Sequence, residues 1–360
     1  MRTIKKVASH IFIDGFGGMT QGLFATLIIG TMIQQIGLLI GGSTGNVIYL
    51  LGKAAAALTS AGIGVGVAVK YGESPLVTVS AAVAAMVGGY AGKITGGTFF
   101  VDGNAVLAGP GEPLGAFIAA FAGITCGHLV SGKTKVDIIV TPVITIGAGS
   151  VVGLLVGPPI SQMMTGLGSI INWATEQRPF IMGIVVSVVM GMVLTLPISS
   201  AALGIILNLS GLAAGAATIG CCCNMVGFAV ASYRENKFGG LVAQGLGTSM
   251  LQVPNIMRHP LIWLPVIFSS AILGPVSTIL ANMQNNATGS GMGSAGLVGQ
   301  ITTYQTMITY DDPKLVIIKI ILLHFVLPAV IIRNIRCMRR ISVIWKDGMR
   351  KRQKSLKSIR

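Results

Sequence analysis

The stretch Gly66-Val67-Ala68-Val69-Lys70-Tyr71-Gly72-Glu73 reappears, loosely, as Gly227-Phe228-Ala229-Val230-Ala231-Ser232-Tyr233-Arg234-Glu235. Three further pairs keep a similar separation of about 160 residues: Gly22 to Gly30 with Gly183 to Gly191, Ala54 to Thr59 with Ala213 to Thr218, and Gly109-Pro110 with Gly274-Pro275. Apolar matches carry little weight in a chain so rich in Gly, Ala and Val. The Tyr-x-Glu pair carries more, because the chain has six Tyr and only four Glu. The pattern reads as an internal duplication, and in a membrane protein two repeated halves point to a transporter whose binding site lies where they meet.

That the chain is a membrane protein follows from composition. With 10% charged and 52% hydrophobic residues it lacks the polar surface of a soluble globule, and apolar stretches long enough to cross a bilayer recur along it. Its 50 glycines, interleaved with Ala and Ser, let helix backbones approach closely in lipid. After Arg2, Lys5 and Lys6, the first apolar segment carries Asp14 and Gln21 and has no small-residue cleavage site, so no cleavable signal is expected. Cys221, Cys222 and Cys223 are consecutive, which fits neither a disulfide framework nor a zinc site, and reduced buried thiols are expected. The net charge of +15 is largely a tail effect, since eleven of the 25 Lys and Arg lie between Arg333 and Arg360. A basic stretch after a transmembrane helix marks the cytoplasmic side and attracts anionic lipid rather than nucleic acid. Ile341, Ile344, Trp345 and Met349 can share one helix face, which would lay the tail along the membrane surface.

The expected fold is all-α and polytopic, with about ten transmembrane helices in two inverted five-helix repeats with re-entrant loops. Spans are placed at about 18–40, 47–69, 74–94, 113–131 and 137–158, then at 179–197, 200–231 (broken near Asn208-Gly211), 239–257, 260–282 and 314–335. Residues 97–112 and 283–306 are too polar and glycine-rich for lipid-facing helices and read as re-entrant or cavity-lining. The organisation is then a first repeat over 1–160, a second over 161–335 and a basic amphipathic tail over 336–360. Positive charge at both ends places both termini in the cytoplasm, which requires an even number of spans. Five spans per half gives the halves opposite orientations and suggests alternating access.

The sharpest local signal is Ala108-Gly109-Pro110-Gly111-Glu112-Pro113-Leu114-Gly115-Ala116-Phe117. Pro110 and Pro113 forbid regular helix, and Gly109 and Gly111 permit backbone closed to other residues. Glu112 is therefore set on a bent segment before an apolar helix, where a carboxylate must be paired, hydrated or ligand-bound. Two acceptor oxygens suit a sugar's adjacent hydroxyls; the alternative is a helix cap in a water-exposed loop. Asp102 and Asn104 add polar groups upstream, as site lining or as an ordinary turn. The matched second-half stretch offers Ser277, Thr278 and Asn282 without an acid, so one half would supply a carboxylate and the other neutral hydrogen-bonding groups. His128 and His324 are candidate proton sites, or interfacial histidines. Gln34, Gln35, Asn224, Gln244 and Gln300 line a cavity or join helices. No catalytic constellation, metal-ligand spacing or cofactor signature is present.

Gly109-Pro110-Gly111-Glu112-Pro113-Leu114 followed by Phe117 resembles the Gly-x-x-Glu-Pro-Ile/Leu signature of the EIIC permeases of the bacterial sugar phosphotransferase system. Over nearly its whole length the chain is similar to the EIIC-like branch that includes PfoR-type toxin-regulator membrane proteins. Gly22-Leu23-Phe24 with Ile28-Ile29-Gly30, the run Leu196-Pro197-Ile198-Ser199-Ser200-Ala201-Ala202, and Gly291-Met292-Gly293-Ser294-Ala295-Gly296-Leu297-Val298-Gly299-Gln300 carry that likeness. The resemblance implies a homodimeric permease of the bacterial inner membrane in which Glu112 and Gly111 bind a sugar or similar small polar solute. It also implies a separate phosphorylated EIIB partner, because no such domain is recognised in this chain. A proton- or cation-coupled secondary transporter of the same architecture, and a membrane sensor with a vestigial site, are the alternative readings.

Overall fold

Inside a bilayer no water is available to satisfy backbone N–H and C=O groups, so a chain this apolar must close its hydrogen bonds within helices. The computed structural model describes residues 14–101, 103–107 and 109–334 and has that character. Six of its helices are long and apolar enough to span: Phe16–Ile40, Pro113–Val130, Asp137–Thr175, Gly211–Ala231, Pro260–Leu280 and Pro313–Asn334. Gly42–Ala57 and Thr59–Tyr71, bent by 52° at Leu58, make a seventh if counted as one span. Pro75–Gly89 and Pro179–Thr195 are apolar but shorter. The only paired strands among the described residues form a small hairpin, with Phe100 opposite Ala105 and Val101 opposite Asn104. Arg2, Lys5, Lys6, Asp102 and the tail from residue 335 lie outside the described residues.

The chain divides into two units. The first runs to Ile170 and takes back Pro197–Ser199; the second comprises Ile171–Leu196 and the residues from Ser200 on. In the first unit, Phe16–Leu23 packs on Thr59–Tyr71 and Pro75–Gly89 packs on Pro113–Val130. Glycine makes both approaches possible: a Cβ at Gly22 would lie 2.0 Å from the Gly62 carbonyl oxygen, and one at Gly88 would lie 2.4 Å from that of Gly115. The second unit is built around Gly211–Ala231, whose apolar window is 94% buried. Pro179–Thr195, Leu264–Pro275 and Leu327–Asn334 all pack against it. A helix that is small and apolar on every side is one that other helices can enclose. Its polar residue Asn224 is fully engaged: the amide donates to Gly220 O (3.1 Å) and Ser270 Oγ (3.3 Å) and accepts from Thr195 Oγ1 and Trp263 Nε1 (both 3.2 Å).

Several boundaries agree with the sequence reading and several differ. The break expected near Asn208-Gly211 is present, with Asn208 (φ 47°) and Gly211 (φ 57°) separating Ser200–Ile206 from Gly211–Ala231. The expected span 137–158 instead continues to Thr175 through Pro142, Pro158 and Pro159. Proline removes one donor per site without ending a helix whose freed carbonyls find other partners. Residues 239–257 form no long helix: Tyr233–Val242, a π-turn at Ala243–Gly247, a 3-10 turn at Ser249–Gln252 and Val253–Arg258 follow in sequence. Hydropathy missed this break because side-chain amides hold it together. Gln244 donates to Ser232 Oγ (2.8 Å), Gln252 donates to Gln244 Oε1 (2.6 Å) and Asn255 donates to Gln252 Oε1 (2.9 Å). The two members of the matched pair Gly109-Pro110 and Gly274-Pro275 also differ in backbone, the first lying in a loop and the second inside a helix.

Close backbone packing makes a sharp stability test. A Cβ at Gly220 would sit 1.8 Å from the Ser187 carbonyl oxygen, whereas one at Gly147 would meet nothing within 4 Å. Gly220→Ala should therefore destabilise the protein by about 1–3 kcal/mol or more, since backbone must move, while Gly147→Ala should be neutral or stabilising by up to about 1 kcal/mol. Thermal melting of the purified variants in one detergent checks the contrast; equal melting points would refute the packing account.

Candidate functional site

The segment that carries the first unit's chemistry is Gly109 to Glu112. Gly109 (φ 84°) and Gly111 (φ 75°) both occupy the left-handed region and flank Pro110, so the chain turns twice within four residues. Three anchors fix that turn. The Glu112 amide donates to Gly89 O at 2.7 Å, tying the loop to the end of Pro75–Gly89. Ser60, near the start of Thr59–Tyr71, donates to Pro110 O at 3.0 Å. The hydroxyl of Tyr90 donates to Gly109 O. Space is tight enough that a Cβ at Gly111 would lie 2.4 Å from Ser60 Oγ.

Glu112 follows in extended backbone (φ −92°, ψ 114°), and Pro113 opens the next helix, its missing N–H costing nothing at the first helical position. The Glu112 side chain closes no N-cap hydrogen bond. Its Oε1 is buried without a hydrogen-bond partner among the described residues. Burial pushes the carboxyl up to about 7, against the backbone amides of Leu114 and Ser199, which lean toward it and favour the charged form. On the helix that follows, Phe117 lies against Phe16, with ring centroids 4.8 Å apart, and stacks on Phe121 at 6.3 Å. The result is a carboxyl group on an anchored, non-helical support with one oxygen left to accept. A buried acceptor without a donor costs about 1–3 kcal/mol, and such a group persists where a ligand or proton can satisfy it.

The other residues singled out from the sequence fall in varied settings. Gly111 supports Glu112 directly. Asn104 is exposed on the hairpin, and residues 98–101 and 103–107 are largely exposed, so only the end of the 97–112 segment packs into the unit. In the second unit, the Ser277 hydroxyl donates to Gly274 O at 2.8 Å. Thr278 donates to Pro179 O at 2.8 Å and to Pro275 O at 3.3 Å, so both hydroxyls serve helix packing. Asn282 is exposed, with a left-handed backbone (φ 47°). The organising residue nearby is Asn285, which is buried and donates to Thr218 Oγ1 (2.7 Å) and Gly299 O (3.2 Å). His128 is exposed and pairs with Glu73 at 3.1 Å across the end of Pro113–Val130. His324 is fully buried and bonded to Gln300 at 3.2 Å.

Ser60, Tyr90 and Ser199 were not found from the sequence as supports of the Glu112 turn. Ser60 and Tyr90 lie 50 and 19 residues from the carbonyls they bind, and nothing local marks such contacts. Ser199 stood in the Leu196-Pro197-Ile198-Ser199-Ser200 run, the one signal that could have joined it to the Glu112 loop.

Comparison with known proteins agrees with this geometry. No curated protein matches the chain. Residues 13–350 match the family model described as "Phosphotransferase system, EIIC", which takes in the Gly-Pro-Gly-Glu-Pro turn and every spanning helix. Carrying a buried carboxyl on a proline-flanked turn inside a polytopic helical membrane protein, this chain belongs to the EIIC family of phosphotransferase-system permeases.

Proposed function

We propose that the protein translocates a neutral sugar or similar polyhydroxyl solute across the bacterial inner membrane, and that Glu112 binds a hydroxyl of that solute. The observation that carries this reading is the buried Glu112 Oε1 without a donor, held on a turn that three separate anchors fix. A buried carboxylate oxygen accepts a hydroxyl proton well and repels an anionic ligand. The rigidity of Gly109-Pro110-Gly111 supports preorganisation, since the support need not be ordered when the solute arrives.

In this reading the phosphoryl donor is a separate EIIB protein, as the family resemblance implies, and the membrane component contributes binding and orientation. Two halves inserted with opposite orientation, alternating access, a homodimer and cytoplasmic termini complete the proposal. Supporting the duplication, each unit has a buried helix hydroxyl bound to a distant carbonyl: Ser60 to Pro110 O at 3.0 Å, and Thr218 to Gly289 O at 3.4 Å. The hydroxyl positions differ by 158 residues, close to the offset of the sequence echo. Ser277 and Thr278 serve helix packing in this account, and Asn104 belongs to the exposed hairpin. A proton-coupled mode without phosphotransfer is favoured by the burial of the Glu112 carboxyl, which pushes it up to about 7.

Glu112→Gln removes the charge and keeps the shape, and it should lower solute affinity at least a hundredfold in calorimetry against a sugar panel, with the fold retained. An unchanged affinity would take Glu112 out of the site. Because the folded carboxyl titrates above its ordinary value of 4.5, burial favours its protonated form. Stability that the wild type holds below about pH 4.5 is therefore lost as pH rises through about 7. Melting of wild type should thus fall across that window relative to Glu112→Gln, and a parallel pH profile would contradict the burial argument. Binding should show the reverse trend, weakening about tenfold per pH unit below 7 as the acceptor protonates. Uptake into proteoliposomes separates the two modes: dependence on phosphoenolpyruvate and the soluble phosphotransfer proteins, with a phosphorylated product, supports phosphotransfer. Uptake driven by a pH gradient alone supports proton coupling.

A further inference from the structure

A second group of buried polar atoms lies wholly within the second unit. Gln300 Oε1, Thr303 Oγ1 and His324 Nε2 are all buried and have no hydrogen-bond partner among the described residues. Gln300 and Thr303 are three apart on Val298–Met307 and so share one face of that helix. His324 comes from the π-turn Ile321–Val326, and its Nδ1 lies 3.2 Å from Gln300 Nε2. One hydrogen bond thus joins Gln300 to His324, and helix spacing sets Thr303 beside Gln300.

Their donor and acceptor roles follow from chemistry. The Gln300 amide nitrogen can only donate, and it does so to Cys222 Sγ (3.4 Å) and to His324 Nδ1. Nδ1 is then the acceptor of a neutral imidazole, which leaves the proton on Nε2 as a donor. The group therefore offers one N–H donor, one amide acceptor and one hydroxyl able to do either. The helices that carry it contribute to an apolar core cluster among the described residues, with Ile219, Cys223, Met307, Ile320 and Leu323 packed together. Asp311 and Lys319 of the same helical segment are closed on each other at 2.6 Å. In such a setting an ion is strongly disfavoured, while a neutral group that both donates and accepts is held well.

The backbone marks the same place. Val298–Met307 is preceded by Gly296 (φ 55°) and by Leu297 (φ 59°), a branched residue in the left-handed region. Strain of that kind costs about 1–3 kcal/mol and collects at ligand sites, as do π-turns.

We infer that Gln300, Thr303 and His324 form a binding site within the second unit for an uncharged hydroxyl-bearing ligand, and that it excludes phosphorylated ones. The hydroxyl could belong to water or to a polyhydroxyl solute, and the experiment separates the two. Full-length protein carrying ¹⁵N-labelled histidine is reconstituted in bilayers, with the His324 signals assigned by their loss in His324→Gln. Magic-angle-spinning NMR should show an Nε2-protonated tautomer whose proton receives magnetisation from water. Adding deuterated glucose or mannitol should remove that transfer if a solute hydroxyl enters, and leave it unchanged if water is the resident. Glucose 6-phosphate and inorganic phosphate should leave it unchanged in either case. Gln300→Met and Thr303→Val, which keep volume, should abolish the transfer while melting at or above the wild-type temperature. A dry Nε2, displacement by the phosphorylated probe, or full retention of the water contact in both variants would overturn the assignment.

Discussion

The structure depends on the rule that a backbone in lipid must satisfy itself. Helices meet that rule by default, and the places where this chain leaves the helix are therefore informative. There are three main ones: the Gly109 to Glu112 turn, the broken stretch from Tyr233 to Arg258, and the loop that leads into Val298–Met307. In each, groups released by the helix are recaptured by side chains or by another segment. Ser60 and Tyr90 capture carbonyls of the first. The ladder Ser232, Gln244, Gln252 and Asn255 ties residues across the second. The third is held by Asn285 and by Ser294, which donates to Gly245 O at 2.5 Å.

Where capture is complete, the residues are architectural. Asn224 illustrates this: each of its polar atoms has partners, and nothing remains for a ligand. Where capture is incomplete, a polar atom stays buried at a cost, and Glu112 Oε1 is the clearest instance. This distinction between filled and unfilled hydrogen-bonding capacity separates scaffold from site better than polarity does. By polarity alone, Ser277 and Thr278 rank with Glu112; by capacity they do not.

The sequence disclosed those features that are encoded locally. Asn208 with Gly211 announced a break, whereas Pro113, read as excluding regular helix, stands at the first position of one. The Gly-Pro-Gly-Glu-Pro run announced both a turn and the acid upon it. Features that depend on distant partners were not legible. Hydropathy summed over 239–257 cannot register that Gln244 and Gln252 bond each other, so a broken segment read as a span. The span placed at 137–158 runs on to Thr175, because Pro158 and Pro159 stand inside the helix without ending it. Gln300 read as a cavity-lining or helix-joining residue and His324 as a proton site or interfacial histidine, because their contact becomes visible only when both are placed.

The helix from Asp137 to Thr175 holds 39 residues, a length of about 58 Å at the usual rise, against an apolar bilayer thickness of about 30 Å. Such a rod must lean steeply, flex at its prolines or project beyond the acyl region. Each of those accommodations changes with membrane thickness. Of the spanning helices among the described residues, this is the one whose length most exceeds a bilayer's apolar thickness.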